Sequence, residues 1–432
     1  MKDKIRRLFG TALAITLIAG MITGCEKSPA ESSSSHSSAL SADSDITTSS
    51  LIHEQGEAVS SMLQSSSATQ ASSKANSSKP NHQTAASSKT STIVQPASST
   101  PNEPEKEDDV TIDNPKIRKL GRVVAQDNGS AIVDWSSSGI EYVINGTGSI
   151  VTMRGSTAQE DNLPYINVYV DGNKRKTIKV TNEKKRYNVC SGLEEGRHVI
   201  RLVKISEAVF SNVVISRVEI QGTLEEPEQP RKRKLEFIGD SITSGWGMLV
   251  GGNTPFSTAT EDSTRTWAAL TADALDAEYN MFSISGEGIA VSGQSIPPKY
   301  EKANPCSDIK TMWNFDTYQP DAVIVNLGTN DMAQGVDRSK FQAESVSFLK
   351  QLRKCNPNAE ILWVYGVMND GYSSDIQSAV AAYQQETGDQ KVSFFQLERQ
   401  GFEVGGQGHP NLETHQKMAD AVTPILKEKL GW

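Results

Sequence analysis

Two kinds of hydrophobic spacing divide the chain. Between residues 111 and 222, apolar and polar positions alternate in short runs: Ile132–Trp135, Ile140–Ile144, Ile150–Met153, Tyr165–Val170, His198–Lys204 and Val213–Ile220. Alternation of this kind marks half-buried β-strands. Asn145-Gly146 and Asp171-Gly172 each follow one of the runs, and such pairs favour tight hairpin turns. No helical period intervenes, so the region reads as a β-sandwich or jelly roll. Such a module can bind carbohydrate or brace a neighbour, and bracing is the simpler expectation where no site is visible.

After Pro227–Pro230 and the basic run Arg231–Lys234, the spacing changes. Near-continuous apolar runs at Leu235–Ile238, Tyr279–Ile284, Asp321–Leu327, Glu360–Val367 and Val392–Leu397 alternate with helical patterns. The helices are expected over Thr264–Ala277, Asp308–Trp313, Arg338–Cys355, Asp375–Thr387 and Asn411–Lys429, the last entered through Pro410. Strands without alternation are buried on both faces, so this half is α/β, a parallel sheet sandwiched by helices.

The first 110 residues carry neither spacing. Lys2, Lys4, Arg6 and Arg7 precede a short apolar run that ends in Ile22-Thr23-Gly24-Cys25. This is the layout of a secretory signal, too short for a stable membrane span. Its Thr-Gly-Cys end resembles a bacterial lipoprotein signal, which implies cleavage before Cys25 and lipid on its sulfur. Residues 26–110 are rich in Ser, Thr, Ala, Asn and Gln and nearly lack aromatics. They cannot bury enough apolar surface to offset backbone entropy, so they read as a disordered tether. His36, His53 and His82 lie in it and are expected to be solvated. The expected domains are thus 1–25 (signal), 26–110 (linker), 111–226 (β) and 231–432 (α/β), with the mature protein held to the outer face of a bacterial membrane.

Charge and cysteines narrow the chemistry. A formal charge of −9 and a pI near 5.4 argue against a nucleic-acid partner. Besides Cys25, the cysteines are Cys190, Cys306 and Cys355, with no C-x-x-C spacing. A Cys306–Cys355 disulfide is possible, buried free thiols are the simpler expectation, and no metal site is expected.

The first α/β strand ends in Gly239-Asp240-Ser241, the second leads to Gly286 and the third to Gly328-Thr329-Asn330-Asp331. A glycine-rich loop before the last helix carries Gly406, Gly408 and His409. In parallel sheets chemistry sits at the carboxyl ends of the strands, so these groups share one rim. Serine needs a base, and histidine is the side chain that is neutral and basic near pH 7. The α/β half holds His409 and His415. His415, inside the last helix, reads as a surface residue, which leaves His409 as the base. The backbone N–H groups of Ser241 and Gly286 and the Asn330 amide can form an oxyanion hole. Asp240 is expected to shape its turn, Asp331 to be structural, and Trp246 to stack on a ring of the substrate or to be buried.

These four blocks resemble those of the SGNH (GDSL-type) esterases, with Thr243 where an ordinary nucleophile elbow needs glycine. Trp135–Glu141 and the β pattern around it resemble the N-terminal jelly roll of carbohydrate esterase family two. The resemblance spans about residues 111–432. It implies an SGNH, flavodoxin-like sheet and a cofactor-free serine esterase that removes acetyl groups from polysaccharides such as xylan or mannan. SGNH enzymes usually carry an Asp three residues before the histidine, and here that position is Gly406. The resemblance therefore implies a Ser–His dyad, with a backbone carbonyl (Gly406) or Glu403 orienting the imidazole. Alternatives are an esterase for cell-wall glycan or lipid acyl groups, and a non-catalytic carbohydrate-binding surface protein.

Overall fold

The computed structural model describes residues 108–432. The expected lipidated Cys25, and the tether apart from its last three residues, lie outside the described residues. Those last three already form a strand, β1 (Asp108–Val110), paired antiparallel with β10 (Asn212–Glu225). An Asp-Asp-Val run has no alternation to announce it. Register against β10 and an ion pair from Asp109 to Arg217 supply the order.

The N-terminal region is all-β. After β1 come β2 (Arg118–Leu120), β3 (Val123–Ala125), β4 (Ala131–Val133) and the long β5 (Gly139–Ser156). Then follow β6 (Tyr165–Val170), β7 (Asn173–Lys179), β8 (Lys185–Cys190) and β9 (Arg197–Lys204), before β10. Every strand pairing is antiparallel. Asp171-Gly172 makes the expected hairpin between β6 and β7, both residues at positive φ (52° and 75°). Asn145-Gly146 does not turn. It lies inside β5, where a Cβ on Gly146 would sit 2.0 Å from the Gln221 carbonyl oxygen. The glycine serves the close approach of β5 and β10 at a register shift, a use the dipeptide alone does not reveal.

The α/β region begins with β11 (Arg233–Gly239) and the four-residue α1 (Ser241–Ser244). It continues through α2 (Trp267–Ala274), β12 (Ala277–Ser283), β13 (Lys302–Asn304), β14 (Asp308–Met312) and β15 (Ala322–Asn326). It closes with α3 (Thr329–Ala333), α4 (Arg338–Cys355), β16 (Glu360–Tyr365), α5 (Ser373–Thr387), β17 (Val392–Gln396) and α6 (Leu412–Leu430). The segment expected to be a helix at Asp308–Trp313 is instead β14, a hairpin partner of β13. A run that short cannot nucleate a helix alone, and a neighbouring strand captures it.

The main sheet is parallel, in the order β12-β11-β15-β16-β17. This is the doubly wound order with its switch point beside the first strand. It sets β11 between β12 and β15, so the three segments leaving those strands emerge side by side. Leu349 and Ile361 belong to the core on one face, Trp267 and Val422 to that on the other. Trp135 and Ala208 of the β-region join the first of these cores, with the Trp135 ring 4.2 Å from that of Phe282. Arg122, also from the β-region, is buried against Glu236 of β11 at 2.9 Å. The β-region is therefore welded to the α/β region.

Candidate active site

Asp240 caps α1 by accepting the Ile242 N–H at 3.0 Å, and Gly245 closes the helix at φ 92°. That single turn lifts Ser241 to the carboxyl edge of the sheet, still largely buried. His409 reaches it from the loop before α6, with Nε2 2.9 Å from Ser241 Oγ.

Glycine brings the two loops together. Gly406 N–H donates to the Gly247 carbonyl at 2.8 Å, and Gln407 N–H donates to Gly252 at 2.8 Å. Gly251 and Gly405 form a bridge, and Trp246 Nε1 donates to Gln407 Oε1 at 3.0 Å. A Cβ on Gly247, whose φ is 60°, would stand 2.9 Å from the Gly406 carbonyl oxygen. A Cβ on Gly406 would stand 3.0 Å from Val250 and 3.1 Å from the Thr254 carbonyl oxygen. The space around position 406, where the resemblance would place an Asp, is thus filled by its neighbours.

No carboxylate replaces it. Glu403 is exposed and offers only its backbone carbonyl, to Asn411, so the expectation that its side chain orients His409 is corrected. The chain reverses sharply after Glu403, through a left-handed Gln407 at φ 55°, which sequence spacing does not show. His409 Nδ1 is buried, with no hydrogen-bond partner among the described residues. Burial lowers the imidazole pKa to about 4, opposed by the backbone carbonyls of Gln407 and Gly406, which act on the ring without a well-aligned bond to Nδ1. The ring is neutral at pH 7, and Nε2 is free to accept the serine proton.

The backbone N–H groups of Ser241 and Gly286 have no acceptor among the described residues. Gly286 stands at φ 80° in the turn after β12. Asn330 Nδ2 is engaged, donating to Asp240 Oδ2 at 3.1 Å and to the Glu287 carbonyl at 2.9 Å. Asp240 is fully buried, and burial pushes its pKa up to about 7 against the pull of the Ile242 N–H. Asp331 accepts the Ile289 and Ala290 N–H groups and so folds the loop beyond Gly286. Trp246 is half-buried, with one ring face stacked on Phe256 at 3.7 Å and its ring centre 5.7 Å from that of His409.

His415 is not on the surface. It is fully buried, and its Nδ1 accepts the Trp267 N–H at the start of α2. The tautomer assigned from that bond carries its proton on Nε2, and burial lowers the ring's pKa to about 3. Helical spacing alone could not say which face of α6 meets α2. Cys190, Cys306 and Cys355 are free, Cys306 at an exposed position. Among the described residues, no group of three or more His, Cys, Asp or Glu side chains is placed to hold a metal. One contributor had no signal in the chain: Glu207, from the β-region, bonds both Ser244 and Ser285.

Comparison with known proteins agrees with this architecture. The GDSL-like Lipase/Acylhydrolase family matches residues 237–417, and the Carbohydrate esterase 2 N-terminal family matches residues 119–228. The cellulase/esterase CelE of Acetivibrio thermocellus is 33% identical over 334 residues, 74% of this chain. This chain spans 40% of that relative's length. The structure of an active site mutant of a family two carbohydrate esterase from Clostridium thermocellum superposes with a TM-score of 0.69 at 31% identity, covering 74% of this chain and 100% of that one. An acetyl xylan esterase from Butyrivibrio proteoclasticus gives a TM-score of 0.70 at 25% identity, covering 76% and 99%. The chain belongs to carbohydrate esterase family two, carboxylic ester hydrolases in which a GDSL-type domain follows an all-β domain.

Proposed function

We propose that the protein is a serine esterase that removes O-acetyl groups from polysaccharides such as xylan or mannan. The observation that carries this reading is the 2.9 Å approach of His409 Nε2 to Ser241 Oγ beside two unengaged backbone N–H groups. Ser241 Oγ attacks the acetyl carbonyl carbon as Nε2 takes its proton. The oxyanion rests on the N–H groups of Ser241 and Gly286, and Asn330 joins them by sharing a hydrogen now held by Glu287. The intermediate collapses, and the sugar oxygen leaves with the proton from Nε2. Water then attacks the acetyl-enzyme, giving its proton to His409. Acetate leaves as Ser241 recovers that proton.

Ser241 and His409 act as a dyad in this scheme, because Nδ1 meets no carboxylate among the described residues. The choice of an acetylated polysaccharide is supported by the relative described as an acetyl xylan esterase. The rings of Trp246, Phe256 and Phe210 cluster beside His409 and offer an apolar wall for a sugar. With Cys25 lipidated, the enzyme would work from the outer face of the membrane; a Cys25→Ser protein that stayed membrane-bound would refute that anchorage.

The full-length protein should release acetate from 4-nitrophenyl acetate and from acetylated xylan. Ser241→Ala should lower kcat by about 10⁴-fold or more. Equal turnover in that variant would end the esterase reading. Comparing acetylated xylan, glucomannan and peptidoglycan would identify the natural polymer.

A further inference from the structure

Glu207 lies in the loop between β9 and β10, in the all-β region, and is fully buried. Burying a carboxylate is strongly unfavourable unless hydrogen bonds compensate. Here the compensation comes from the catalytic edge of the other region. Oε1 accepts Ser285 Oγ–H at 2.5 Å, and Oε2 accepts Ser285 N–H at 3.0 Å. Ser244 Oγ, at the end of the helix that starts with Ser241, stands 3.4 Å from Oε2 and 2.9 Å from Ser283 Oγ. The Glu207 N–H in turn donates to Glu261 Oε1 at 3.0 Å. Desolvation raises the Glu207 pKa, countered chiefly by Ser285.

The consequence follows from backbone geometry. A carboxylate that holds both the N–H and the hydroxyl of one residue fixes that residue's Cα and orientation. The next peptide plane carries the Gly286 N–H. Gly286, at φ 80°, has no side chain to hold itself. We propose that Glu207 is a positioning residue of the esterase: by gripping Ser285 it aims the Gly286 N–H at the oxyanion, so the β-region is part of the catalytic apparatus. This rests on the reading of Gly286 as an oxyanion donor.

The test uses full-length enzyme with 4-nitrophenyl acetate, with kcat, KM and Tm measured for each variant. An oxyanion donor acts only in the transition state, so its misplacement lowers kcat and leaves KM alone. Glu207→Ala should lower kcat by roughly 30-fold or more, with KM within about threefold of wild type. Glu207→Gln keeps an acceptor for the Ser285 N–H and should recover about tenfold of that loss. Ser285→Ala should lower kcat by about three- to tenfold. Because both act through one contact, the double variant should be as slow as Glu207→Ala, with no further loss from the serine.

A kcat equal to that of wild type in both Glu207→Gln and Ser285→Ala, a loss confined to KM, or losses that multiply in the double variant would each overturn the proposal. Should Glu207→Ala fail to fold, Glu207→Gln and Ser285→Ala decide the matter by their kcat alone. Ser241→Ala, run alongside, separates the two levels. Turnover surviving there removes the esterase reading, whereas a dead Ser241→Ala beside unaffected Glu207 and Ser285 variants removes only the role of Glu207.

Discussion

The chain closes around Ser241 twice, with opposite materials. The His409 loop is zipped to residues 246–252 by backbone hydrogen bonds and by glycines with no room for a Cβ. The β-region meets the same sheet through buried charge: Arg122 on Glu236, and Glu207 on Ser285. The first junction sets distance, because backbone-to-backbone contact has little freedom to adjust. The second sets pairing, because a buried charge without its partner is strongly penalised. A small change should therefore hurt catalysis at the first junction and, at the Arg122–Glu236 pair of the second, folding; Glu207, which reaches the loop of Gly286, belongs to both.

The largest expected effect breaks the charged junction. Arg122→Ala leaves Glu236 buried without its ion pair, although the Tyr300 hydroxyl remains bonded to it. It should cost about 3–5 kcal/mol in urea unfolding, with kcat of the folded fraction nearly unchanged. A matching fall in kcat would show that this contact, too, shapes the site. Next is the glycine junction. Gly247→Ala introduces a Cβ at φ 60° against the Gly406 carbonyl. It should lower kcat by roughly 10²-fold through displacement of His409, with a smaller loss of stability.

Titration separates the junctions further. The base must be neutral, and burial holds the His409 pKa at about 4. The acid limb of kcat/KM should therefore lie well below the ordinary histidine value near 6.5, with activity falling only as pH drops through that lower range. An imidazole limb near 6.5 would mean that the His409 loop opens to water. The smallest effect belongs to Glu403→Ala. Its exposed carboxyl does not contact His409, so kcat should stay within about threefold of wild type. A loss of several orders of magnitude would restore a carboxylate to the dyad.

Legibility in the sequence followed the range of the contacts. The helix at Arg338–Cys355 and the five parallel strands were readable because burial on defined faces imposes spacing. Asp171-Gly172 was readable because two consecutive positive φ angles demand those residues. Asn145-Gly146 misled because the same glycine can serve a turn or a close strand contact. His415 misled because helical spacing does not say which face meets α2. Glu207 was invisible, since nothing near it hints at a partner 78 positions away.

The sequence by itself determined the β-then-α/β order and placed Ser241, Gly286, Asn330 and His409 at strand ends or in a glycine-rich loop. These follow from local spacing and turn chemistry, which act over a few residues. The tertiary structure decided how those groups meet. The order β12-β11-β15 puts three strand ends side by side, Gly247 and Gly406 bring the imidazole to 2.9 Å from the serine, and Glu207 grips the loop of Gly286. Such contacts join residues far apart in the chain, and their energies exist only once the sheet and its neighbouring region have formed.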